Sequence, residues 1–120
     1  MEPAMPSIEQ LTEDVRQFAE ERDWNQFHSP KNLSMALAVE ASEIMEIFQW
    51  LTQEQSRNLS AAKMAELRDE LADVTIYLVR LADKLEIDLF SAAEAKIARN
   101  KEKYPADKVR GSAKKYNEYE

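Results

Sequence analysis

The chain has 120 residues, 44% of them hydrophobic, no cysteine, and a net charge of −7 from 16 basic and 23 acidic side chains. That is enough chain for one compact domain with a core; it excludes disulfide frameworks, thiolate catalysis and Cys-based metal sites, and it disfavours a nucleic-acid partner, which needs a broad basic face. No apolar run approaches the ~20 residues that span a bilayer, and residues 1–7 lack the basic and apolar regions of a signal peptide, so a cytoplasmic protein with no membrane partner is expected.

The only glycine is Gly111, which excludes Gly-rich phosphate loops and parallel-sheet folds and leaves helices joined by short loops. Ser7 and Gln10 form a capping-box pair that opens a first helix. Ile8, Leu11, Val15, Phe18 and Ala19 give it one apolar face, and it should end near Arg22. A loop with Trp24, Phe27 and His28 follows. Ser29 and Pro30 are an N-cap and N1 pair for a second helix running to about Leu51. Residues 52–58 read as a polar connection or a short helical turn. Ser60 caps a third, long helix to about Leu85, striped by Met64, Leu67, Leu71, Val74, Leu78, Leu81 and Leu85. Asp88 caps a fourth, ending near Lys103 before Pro105. Four helices with short links imply an all-α four-helix bundle over residues 1–105. Residues 106–120 are polar and charged and read as a mobile tail.

The informative residues are acids in apolar surroundings. Residues 33–51 are apolar almost all round, the pattern of a helix buried on several sides. Glu40 and Glu43 lie inside that run one turn apart, ~5–6 Å between their Cβ atoms. The long helix repeats the device with Glu70 and Asp73, flanked by Leu71, Ala72, Val74 and Ile76. Burying one unpaired carboxylate costs several kcal/mol, and four facing one another cannot all stay ionised. Something positive must stand between them. The nearby bases are Arg57, Lys63 and Arg68; a divalent cation is the more economical answer. Four hard oxygen donors suit Mg²⁺, with Mn²⁺ as a substitute, rather than zinc. A di-iron site would need Glu-x-x-His on two helices, and the one histidine, His28, is in a loop. Charge is also unevenly placed: residues 38–73 hold eight acids and three bases, residues 96–120 eight bases and four acids. That division suits a cation with a phosphorylated small molecule, and equally suits solvated faces of differing sign.

Glu40-x-x-Glu43, 26 intervening residues and Glu70-x-x-Asp73 together resemble the signature of the all-α NTP pyrophosphatase superfamily, which includes MazG-like and dimeric dUTPase-type enzymes. ERDWNQFHSPKNLSMALAVEASEIMEIFQW (21–50), DELADVTIYLVRLA (69–82) and Lys-Tyr-Pro at 103–105 are similar to its dCTP pyrophosphatase branch, and the likeness covers roughly residues 7–116. The resemblance implies a MazG-like bundle assembled as a dimer or dimer of dimers. It also implies hydrolysis of a nucleoside triphosphate to the monophosphate and pyrophosphate, with attack at the α-phosphorus. The four carboxylates would then be the metal ligands and the catalytic groups.

Around them, Trp24, His28 and Trp50 match the branch and are expected to meet the base, by stacking and by reading its edge; Phe27 is expected to be core. Tyr77, one turn after Asp73, either binds sugar or phosphate or points its ring at the core. Lys96, Asn100 and Lys103 share a face of the fourth helix and are phosphate partners or an ordinary cationic helix end. Lys31 is placed to meet phosphate, and Arg110, Lys114 and Lys115 either close over the nucleotide or belong to the tail. Glu46 is set further round the helix, beside the ligands or in solvent; Met35, Met45 and Met64 are expected to fill core. Two rival readings are a non-enzymatic helical module stabilised by Mg²⁺ or Ca²⁺, and an enzyme for non-nucleotide diphosphates such as a phosphoribosyl-ATP intermediate.

Overall fold

The computed structural model describes residues 6–112, and among these the regular structure is entirely helical. Helix α1 (Ile8–Glu21) starts at an extended Ser7 whose side chain accepts the Gln10 backbone N–H. The reciprocal half of the expected capping box is not made, because the Gln10 side-chain amide donates to Asp14 Oδ1 at 2.9 Å. A 3₁₀ turn (Asn25–Phe27) leads to α2 (Pro30–Phe48), opened by Ser29, which accepts the Asn32 N–H, and by Pro30 in the first turn. α2 ends three residues short of Leu51, where the Leu51 N–H bonds the Phe48 carbonyl in a tighter turn. The polar connection does contain a helical turn, α3 (Gln53–Ser56), opened by a full Thr52–Gln55 capping box. Ser60 caps α4 (Ala61–Lys84), and Asp88 caps α5 (Leu89–Lys103). α6 (Ala106–Val109) makes a helical turn of the first residues of the segment read as a tail. Residues 113–120 of that segment, with Lys114 and Lys115, lie outside the described residues.

α1 and α4 end without glycine. Asp23 (φ 55°) and Glu86 (φ 56°) take the left-handed position instead. After α1, Trp24 N–H reaches Ala19 O at 2.9 Å and Asp23 N–H reaches Glu20 O at 3.1 Å; after α4, Ile87 and Glu86 repeat both bonds to Ala82 and Asp83 at the same distances. These paired bonds satisfy the last carbonyls of each helix. A left-handed L-residue strains each site by roughly 1–2 kcal/mol.

The chain divides into two compact units, Met1–Ile87 and Asp88–Glu120, the second carrying α5 and α6. In the first, α4 is the spine, with α2 as its main partner and α1 packed beside it. α2 and α4 run antiparallel: Glu40 and Glu43 gather with Glu70, while Glu46 and Ile47, later in α2, share a cleft with Glu66 and Lys63, earlier in α4. The buried apolar residues are few: Ala19, Leu33, Val79 and Ala82. The expectation that α2 is buried on several sides is corrected within a single chain. Only its Leu33 is buried, while Met35, Val39 and Met45 are 58%, 56% and 65% exposed. Phe27 and Met64, read as core, are exposed as well. One partner helix covers one stripe of α2, and its apolar circumference is wider than that stripe.

Candidate metal centre and nucleotide site

The antiparallel pairing of α2 and α4 brings Glu70 of one pair to both members of the other. Glu40, Glu43 and Glu70 each offer an oxygen within 4.8 Å of the others, and all three side chains are half-buried. Asp73, also half-buried, lies outside that mutual group, although its charge raises the proton affinity of Glu40. Burial is the first cause holding Glu40 above the usual carboxylate range, and Glu43 beside it is the second. Glu70 is pushed up to about 7, first by the hydrogen bond its protonated form makes to Glu43, then by burial and by Glu40. With all three ionised no donor stands among them. Glu70 Oε2 is the buried side-chain polar atom among the described residues that has no hydrogen-bond partner.

Crowded, half-buried carboxylates with an orphaned oxygen relax by taking up a proton or a cation. The donor set is all hard oxygen, which fits a divalent ion of the Mg²⁺ type. Glu43, Glu46, Ile47, Lys63, Glu66 and Glu70 line an open cleft of about 380 Å³ at this end of the pair. Glu46 is exposed on its wall, as expected of a residue rotated away from the other two. Lys63 stands at the cleft, yet no ion pair found among the described residues joins it to these acids.

The aromatic turn is positioned by the end of α1. Trp24 is the second residue past the cap, and its ring meets Phe18 edge-on, centroids 5.5 Å apart. Such an apolar contact commonly accompanies this kind of helix end. His28 packs edge-on to Trp24 at 6.3 Å, and Trp24 itself stays 42% exposed. Glu70, Asp73, Tyr77 and Arg80 follow one another along one face of α4 at helical spacing. Arg80 Nε donates to His28 Nδ1 at 3.2 Å, so the carboxylates and the aromatic turn hang on the same stripe, with Arg80 about two turns from Asp73 and nearly three from Glu70. Tyr77 is half-buried between them in sequence.

The other expected contacts are less gathered. Lys31 is exposed in the first turn of α2, and Trp50 is 86% exposed just beyond its end. Lys96, Asn100 and Lys103 are exposed on one face of α5, in the second unit. The residues that sequence reasoning missed are Arg80, Asn25, Asp83 and Arg16. Arg80 is 3% exposed, and the signal for it was present: a base between Val79 and Leu81 in an apolar stripe is as anomalous as the acids were.

The MazG-like family model matches residues 35–119. The chain is 43% identical to dCTP pyrophosphatase 1 of Homo sapiens over 115 residues, covering 94% of this chain and 68% of that protein. It is also 43% identical to the Bos taurus protein of the same name over 118 residues, covering 93% and 70%. Among solved structures, a pyrophosphatase from Archaeoglobus fulgidus superposes with a TM-score of 0.79 at 34% identity, over 88% of this chain and 98% of that one.

Proposed function

This chain belongs to the MazG-like family, in its dCTP pyrophosphatase branch, and from that membership and the carboxylate cluster we propose how it works. It is a nucleoside triphosphate pyrophosphohydrolase. Its substrate is dCTP or a related or modified deoxynucleotide, cleaved to the monophosphate and pyrophosphate, which clears the cytoplasmic nucleotide pool of that species. Glu40, Glu43, Glu70 and Asp73 hold Mg²⁺, or Mn²⁺ in its place. The observation that carries the reading is the three-carboxylate cluster with its unpartnered Glu70 oxygen, on the same face of α4 that Arg80 ties to the Trp24–His28 turn.

A bound Mg²⁺ supplies neutralisation of phosphate charge and a lowered pKa for water. The protein does the rest. The two carboxylate pairs would hold the ion at the α2–α4 seam, and an oxygen of the set that is not on the metal would accept the proton of the attacking water. Trp24 and Trp50 offer exposed ring faces for a base, and His28 a polar edge beside it. Tyr77 and Lys31 meet sugar and phosphate.

The protein works as a homo-oligomer, a dimer or a dimer of dimers. Support comes from the exposed apolar positions of α2, which a monomer would leave in water at about 25 cal/mol for every Å². The test is incubation with each dNTP and NTP, with and without Mg²⁺, and separation of products by anion exchange. Monophosphate and pyrophosphate formed only with metal, fastest from dCTP or a modified pyrimidine, is the expected result. Diphosphate with orthophosphate, or no turnover of any nucleotide, refutes the reading.

A further inference from the structure

Arg80 is the one buried charged side chain among the described residues. Its guanidinium spans three acceptors: it donates to Asn25 Oδ1, to His28 Nδ1 at 3.2 Å from Nε, and to Asp83 Oδ2 at 3.4 Å from Nη1. Asp83 is gripped in turn by Arg16 of α1, whose Nε and Nη2 lie 3.0 and 2.6 Å from its two oxygens. Arg16 also holds the Asp83 carboxyl below the usual range, so the buried positive charge has a permanently ionised partner, without which burial would be costly.

Charge compensation needs Asp83 alone. The other two bonds do something different: they take hold of Asn25, which begins the 3₁₀ turn, and of His28, which ends it. An arginine has donors only, so the ring nitrogen facing it must present a lone pair. In a neutral imidazole the proton then sits on Nε2. Burial first, then the charges of Arg80 and Lys84 on α4, lower the proton affinity of His28 and keep it neutral.

We propose that Arg80 is a positioning residue for the nucleotide site. It ties the 24–28 turn to α4 and fixes His28 as the neutral Nε2–H tautomer, so the ring offers an acceptor atom of the nucleotide a hydrogen-bond donor. The packing of His28 against Trp24 makes the same tie set the angle of the indole. This rests on the reading of Trp24 and His28 as nucleotide contacts, and the first measurement below is independent of that reading.

His28 is the only histidine in the chain, so ¹⁵N NMR of a histidine-labelled sample reports its tautomer and titration without assignment. The native protein should show the Nε2–H pattern at neutral pH and titrate below 6.5, the ordinary value. In Arg80→Met the tautomers should mix, the titration should move up, and KM for the preferred nucleotide should rise roughly tenfold while kcat changes by less than about twofold. Arg80→Lys keeps the charge beside Asp83 and loses the fork; it should show the same mixing of tautomers and the same rise in KM with a smaller change in titration, and it carries the test if Arg80→Met does not fold. A native imidazole spectrum in either folded variant overturns the proposal. An altered spectrum with unchanged KM overturns it by another route: Arg80 then governs His28, and it is the nucleotide role of His28 that fails.

Discussion

Glu70 is the side chain through which the metal reading can be tested without any substrate. In the metal-free protein its proton affinity is pushed up to about 7, chiefly by Glu43. A cation entering the cluster needs the carboxylate, so binding must expel that proton. A group titrating near 7 sheds about half a proton at pH 7, about 0.9 at pH 6 and about 0.1 at pH 8. Glu40, raised in the same direction, adds to this, so half a proton at pH 7 is a lower limit. Apparent Mg²⁺ affinity should therefore fall steeply below pH 7 and level off above 8. Isothermal titration in two buffers of different ionisation enthalpy reads the proton count directly, and Glu70→Gln should remove about half a proton of it at pH 7. The same shift has a stability consequence. A folded-state value raised above the ordinary 4.5 means the folded state binds more protons than the unfolded one between those two values. Destabilisation is thus absent below pH 4.5 and complete above about 7, and saturating Mg²⁺ or Glu70→Gln should flatten it. Magnesium binding that releases no proton at pH 6, or a release unaltered in Glu70→Gln, would refute the assignment of Glu70 to the metal.

Other outcomes follow from the same geometry. Glu43→Ala or Asp73→Ala should abolish turnover while circular dichroism stays helical, since each removes a ligand and relieves like-charge crowding; near-native activity at saturating Mg²⁺ would break the ligand assignment. Trp50→Ala should raise KM more than it lowers kcat, and the reverse pattern in steady-state kinetics would end the case for stacking. Glu86→Gly removes left-handed strain while loosening the unfolded chain, for a net gain of about 0.5–1 kcal/mol in urea unfolding; Glu86→Ala, which keeps the strain, should show no such gain. Sedimentation velocity should find a dimer or tetramer, and Met45→Asp, placed at a 65% exposed position, should shift it toward monomer without loss of helix. A monomeric native protein at micromolar concentration would contradict the assembly.

Much of this molecule is written in local chemistry. Ser7, Ser29, Ser60 and Asp88 each cap the helix expected of them, because a cap depends on a side chain and a backbone N–H only three residues away. The two carboxylate pairs were legible for a related reason: three-residue spacing puts side chains on one helical face whatever the rest of the fold does, and an acid in an apolar run demands an explanation. Family resemblance supplied the reaction, which no spacing could.

The tertiary structure decided what depends on the relation between distant elements. It drew Glu40, Glu43 and Glu70 into one mutual cluster and left Asp73 outside it. It joined Arg80 to Asn25 and His28 across 55 and 52 residues of chain, and Arg16 to Asp83 across 67. It also showed how much of the apolar surface of α2 a single α4 leaves uncovered. A sequence pattern states which side chains share a face; which faces meet, and what a long side chain reaches across them, is set by how the helices pack.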